Sequence, residues 1–109
     1  MSKFDEAVVK YTADLEAIGA KVDADLLHKV AKGLGPSIYN KDSQLVACSD
    51  KAELARVRKN FLVGKLGLAD NDSLDGTLSE VCKQYDKRQK HRAVFYYLLV
   101  QKLGKQGAY

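Results

Sequence analysis

The residues most able to do chemistry lie in one run, Lys87, Arg88, Gln89, Lys90, His91 and Arg92, with Lys83 one helical turn upstream. Lysine and arginine supply most of a protein's affinity for nucleic acid by neutralising phosphates, without reading sequence. Joined by Arg56, Arg58 and Lys59, they could form a polyanion-binding patch, with Tyr85, Tyr96 and Tyr97 near enough in sequence to stack on bases. A structural account competes with this one. Lys83, Lys87 and Arg88 would close a helix, where positive charge suits the dipole, and tyrosines at helical spacing look like core. Lys90 and Arg92 fit that account less well, because they would stand at the positive start of the last helix. A local rule broken in this way points weakly to function. If the structural account holds, neutralising Arg88, Lys90 and Arg92 relieves like-charge crowding and leaves stability equal or slightly higher.

A second constellation is Gly33, Leu34, Gly35, Pro36, which resembles the helix-hairpin-helix turn of DNA-binding proteins, two glycines flanking a hydrophobic residue before a helix start. The amides around Gly33, Gly35 and Ser37 could hold a phosphate there. The match covers about a tenth of the chain and departs at Tyr39, where that family keeps a small residue; a helix C-cap is the simpler reading. Catalytic candidates are few. His28 sits beside Leu27 and Val30, and His91 sits among cations that depress its pKa. The acid pairs Asp5 with Glu6, Asp23 with Asp25, and Asp70 with Asp72 fall at helix starts, where carboxylates cap and complement the dipole. Cys48 and Cys82 lack the close pairing of zinc sites and read as reduced thiols. No enzyme activity, metal or cofactor is expected.

These side chains sit on a chain of 109 residues, the size of one domain with a real core, here taken as 1–109. Its +4 charge is uneven: residues 1–50 carry six lysines and eight acids, giving −2, and residues 51–109 carry twelve lysines or arginines and six acids, giving +6. That asymmetry permits an anionic partner without requiring one. No stretch approaches the roughly 20 apolar residues of a bilayer span, and Met1 to Glu6 carries no apolar signal core, so a cytoplasmic location away from membranes is expected.

The elements that must position the site read as helices. Phe4, Val8, Tyr11, Leu15 and Ile18 recur at steps of three and four behind the N-cap Ser2. A second helix follows Asp23 through Leu26, Leu27 and Val30 to Gly33, and Pro36 starts a short turn with Ile38 and Tyr39, interrupted by Asn40 to Ser43. Asp50 with Glu53 caps a third, with Leu54, Val57, Phe61, Leu62 and Leu66 inward and Gly67 as its end. Asp72 or Ser73 opens a fourth, through Leu74, Leu78, Val81, Cys82 and Tyr85. The last runs from about Arg88 to Leu103. Its run Ala93 to Val100 is apolar nearly all round, which makes it the buried hub. Lys-Leu-Gly endings at 65–67 and 102–104, and Lys32 to Gly35, read as repeated capping rather than an internal repeat.

Nearly the whole chain resembles a family of small bacterial proteins, domain of unknown function 2853. The resemblance rests on Lys3 to Val8, Lys32 to Tyr39, Ala55 to Leu62, and Lys90 to Val100. It implies an all-helical fold and carries over no activity, cofactor or catalytic residue. The combined expectation is an all-α, compact single-domain bundle of about five main helices around a buried C-terminal helix. It acts as a non-enzymatic interaction module with a basic face. A protein partner is possible, nucleic acid is possible but not favoured, and self-association is a further alternative that leaves the oligomeric state open.

Overall fold

The computed structural model describes residues 2–41 and 43–109; Asp42, within the expected break at 40–43, lies outside the described residues. Helix α1 spans Lys3–Ala17, and the Ser2 hydroxyl accepts the Asp5 N–H at 3.1 Å, the cap that the Ser-x-x-Asp spacing predicts. Helix α2 spans Ala24–Leu34, capped by the Asp23 carboxylate on the Leu26 N–H at 3.2 Å. It passes through Gly33 and stops at Gly35, whose φ of 61° lies in the left-handed region that glycine adopts without strain. The short 3-10 turn Gly35–Ile38 follows, with Pro36 in its first turn. The Lys-Leu-Gly endings are all helix stops, since Gly67 and Gly104 also have positive φ.

Helix α3 begins as expected. Asp50 accepts the Ala52 and Glu53 N–H groups at 2.9 and 3.3 Å, and the α-helix runs Lys51–Val57. It then widens into a π-helix over Arg58–Lys65. The uniform helical stripe expected here is therefore corrected: Phe61 and Leu62, neighbours in sequence, are both buried. Helix α4 spans Ser73–Gln84. Its opening N–H, at Ser73, is satisfied by the Asn71 side chain at 2.9 Å, whereas Asp72 occupies the cap position without a side-chain bond.

Helix α5 spans Arg92–Leu103, four residues shorter at its start than the sequence predicts. Before it, Arg88 and Gln89 bend and Lys90 and His91 run extended, because these two pair with the link between α2 and α3. Leu45 and His91 form an isolated antiparallel bridge, the Val46 N–H donates to the Lys90 carbonyl at 2.8 Å, and the Arg92 N–H donates to the Gln44 carbonyl at 2.8 Å. The hub assignment holds: all eight residues from Ala93 to Val100 are buried, and α5 packs against α1, α2 and α4. Inside this hub the Tyr97 hydroxyl accepts the Asp23 N–H at 2.7 Å and donates to the Lys21 carbonyl at 2.9 Å, which fixes the α1–α2 link.

The cysteines overturn the expectation of free thiols. Cys48, just ahead of α3, and Cys82, near the end of α4, form a disulfide with their Cα atoms 6.0 Å apart. Spacing alone could not reveal it, because the pairing is made by the packing of the π-helical extension of α3 against α4. Among the described residues no helix is long and apolar enough to cross a membrane.

Candidate functional site on the basic segment

The basic residues separate into those used inside the fold and those left at its surface. Arg92 belongs to the first set. Its half-buried guanidinium pairs with Glu53 on α3, donates to the Tyr96 hydroxyl at 3.0 Å, and reaches the Ser43 carbonyl. Burial opposes ionisation of Glu53, but hydrogen bonds from Arg56 and Arg92 outweigh it and hold its carboxyl below the ordinary range. This pair accounts for a cation at the positive end of α5, so the broken capping rule reflects a cross-link between helices rather than a ligand.

Arg58 is bound in a similar way, to Asp70 at 2.7 Å and to Asp75 of α4 at 2.8 Å, and Arg56 meets Glu53 at 2.8 Å. Three of the arginines expected on a polyanion patch are therefore paired with carboxylates. The tyrosines are occupied too. Tyr85, Tyr96 and Tyr97 are buried, Tyr96 stacks on Phe61 with centroids 4.0 Å apart, and Tyr85 donates its hydroxyl to Asp14.

His91 is half-buried between two clefts. Its backbone N–H donates to the Tyr85 hydroxyl at 3.0 Å and its ring centroid lies 5.4 Å from that of Tyr11. Burial lowers its pKa below the ordinary value, with Lys10 adding and Asp14 opposing. His28 is exposed and meets Phe4 edge to face at 4.8 Å. Among the described residues no group of three His, Cys, Asp or Glu side chains is placed to hold a metal ion.

The glycine turn closes on itself. The Gly35 N–H donates to the Lys32 carbonyl, the Ser37 hydroxyl to the Leu34 carbonyl at 2.7 Å, and a Cβ on Gly33 would lie 3.4 Å from the Tyr109 ring. This turn and the basic segment meet across Ser43, which donates its hydroxyl to the Ser37 carbonyl at 2.9 Å and whose own carbonyl accepts from Arg92.

Arg88, Lys83 and Lys59 remain exposed, with no ion pair among the described residues, and Lys90 is half-buried with its ammonium on the Lys87 carbonyl at 2.8 Å. Arg88 and Lys90 line a groove of ≈ 540 Å³ together with Lys41, and its wall is Leu45 to Ser49, apolar but for Ser49. Lys83 and Lys59 are not among its lining. Lys41 had no signal in the sequence, because it enters through the bridge between residues 45 and 91.

These features define a small all-helical protein whose charged segment is partly built into its core and partly open as a cationic groove. The chain belongs to the family of proteins of unknown function DUF2853, whose model matches residues 10–107, nearly its whole length. No curated protein matches it.

Proposed function

We propose that the protein is a non-catalytic binding module of the bacterial cytoplasm, which takes an acidic protein segment in the groove between residues 45–49 and 88–90. One observation carries this reading: Lys41, Arg88 and Lys90 converge on a groove whose remaining wall is Leu45, Val46, Ala47, the disulfide-bonded Cys48 and a single polar residue, Ser49. An acidic peptide presents carboxylates to such cations and aliphatic side chains to Leu45 and Ala47. Nucleic acid fits less well, because the tyrosines that would stack on bases are buried in the core. In the cytoplasm the Cys48–Cys82 pair would spend much of its time as thiols, and alkylation of protein in intact cells followed by thiol counting checks that part.

Binding is tested by fluorescence anisotropy with a labelled glutamate-rich peptide and a single-stranded oligonucleotide of equal length. The variant Lys41→Gln/Arg88→Gln/Lys90→Gln should weaken the peptide about tenfold at low salt, since three surface charge contacts of ~0.5 kcal/mol each are lost. Unchanged peptide affinity would overturn the reading. Tighter oligonucleotide binding that depends on the same three residues would transfer it to nucleic acid.

A further inference from the structure

Apart from that groove, with which it shares no lining residue, a second cleft of ≈ 300 Å³ is enclosed by α1, the end of the Gly35–Ile38 turn, Gln44 and His91. The geometry points to this cleft as a binding site for a compact aromatic carboxylate, a molecule of benzoate size, distinct from the groove proposed for an acidic peptide.

The central observation is Tyr11. It is only 3 % exposed, it lines the cleft, and its hydroxyl makes no hydrogen bond among the described residues. No buried polar side-chain atom is left without a partner among those residues, so the hydroxyl of this otherwise enclosed side chain is its point of contact with the cleft. A buried tyrosine ordinarily finds a protein partner for its hydroxyl. The other buried tyrosines here do so: Tyr85 on Asp14, Tyr96 with Arg92, Tyr97 on Lys21. Tyr11 is the exception, and the group it lacks is one that a ligand can bring.

The surroundings specify the ligand's chemistry. Burial, with the Tyr39 hydroxyl near by, pushes the Tyr11 hydroxyl up to about 12, so it stays a donor at any physiological pH. The Gln44 amide offers a second donor, and Lys3 and Lys10 stand on the wall against a single carboxylate, Glu6. Donors and a net positive rim call for an acceptor-rich anion, and a carboxylate meets both. The His91 ring forms a flat wall beside Tyr11, while Tyr39, 46 % exposed, offers an aromatic face at the cleft. A planar ring between such faces gains burial and stacking that a fully hydrated inorganic anion does not. The volume lies at the small end for ligand sites, which limits the guest to a single ring.

The test is a ¹H–¹⁵N NMR titration of the full chain with benzoate, and in parallel with acetate and inorganic phosphate. Benzoate should give saturable shifts confined to residues 3–11, Tyr39, Gln44 and His91, at least tenfold tighter than acetate or phosphate. Tyr11→Phe should weaken benzoate about tenfold while leaving the melting temperature unchanged, because the deleted hydroxyl bonds to no protein group. Lys10→Gln should weaken it severalfold, and Lys41→Gln/Arg88→Gln should leave it unaffected, which separates this site from the peptide groove. The proposal falls if benzoate gives no saturable shifts at these residues, if phosphate binds as well as benzoate, or if Tyr11→Phe binds benzoate like the parent.

Discussion

Opening the Cys48–Cys82 disulfide should remove about 4 kcal/mol of stability. The bond spans 34 residues and encloses the whole of α3, its π-helical extension and most of α4. For a loop of that length, the chain-entropy relation gives about 3.8 kcal/mol at 25 °C, because the reduced unfolded chain recovers freedom the cross-link denied it. A domain of this size is stable by roughly 5–15 kcal/mol in all, so the loss is a large share. Both cysteines are partly exposed and therefore open to a reductant. Urea unfolding followed by far-UV circular dichroism, with and without reductant, reads the change directly. With a slope of about 2 kcal/mol/M the midpoint should fall by about 2 M. Cys48→Ala/Cys82→Ala should reproduce the reduced protein and be insensitive to reductant. A loss below about 1 kcal/mol, or two free thiols per chain in folded protein kept from reductants, would refute the reasoning.

Leu98→Ala should cost about 2–5 kcal/mol in denaturant melts, since it opens a cavity in the buried face of α5; a loss under about 0.5 kcal/mol would remove α5 as the hub. Arg92→Gln should cost about 1–3 kcal/mol, because it leaves Glu53 half-buried with a charge-assisted partner removed, and a double-mutant cycle with Glu53→Gln should show strong coupling. Neutralising Arg88, Lys90 and Arg92 together should therefore destabilise the protein, the reverse of what relief of charge crowding predicts. Stability should be full above pH 6.5 and decline as pH falls from there through the lowered folded-state pKa of His91, because the unfolded chain takes up that proton first; His91→Gln should flatten this slope. A second decline, below pH 4.5, should belong to Glu53, whose folded pKa lies below its ordinary value, and should vanish in Glu53→Gln.

Helix starts and stops were legible because they are decided within three or four residues. Ser2, Asp23 and Asp50 each cap the helix their spacing predicts, and Gly67 and Gly104 end theirs. The apolar run Ala93 to Val100 identified the hub for a similar reason: a helix apolar on every side has to be enclosed. What the sequence concealed depends on contacts between distant segments. The sequence predicts Arg88 to His91 in α5, but pairing with Leu45 and Val46 holds Lys90 and His91 extended and leaves Arg88 and Gln89 in a bend, and no local pattern announces a bridge over 46 residues. Arg92 read as an unfavourable charge because Glu53, its partner, lies 39 positions away. The same holds for Cys48 with Cys82. The basic segment was found, but which of its charges are spent internally and that Lys41 joins the remainder were decided by tertiary packing. Tyr11 read as one more core position, and only the absence of a partner for its hydroxyl sets it apart.

The π-helical stretch gives the third helix a property that matters for the length of the chain. Val57 and Leu66 are both buried, yet they are nine residues apart, and winding at about 100° per residue would turn them to opposite sides of the helix. The wider turns of Arg58–Lys65 take up about 100° of that half-rotation, so the helix in effect accommodates a surplus residue and keeps both ends on the core side. A chain one residue shorter between these two positions, lacking the exposed Asn60 for instance, could wind as an ordinary α-helix and bring both ends back toward the same side. This span is where the fold can lose a residue without shifting the frame of everything that follows.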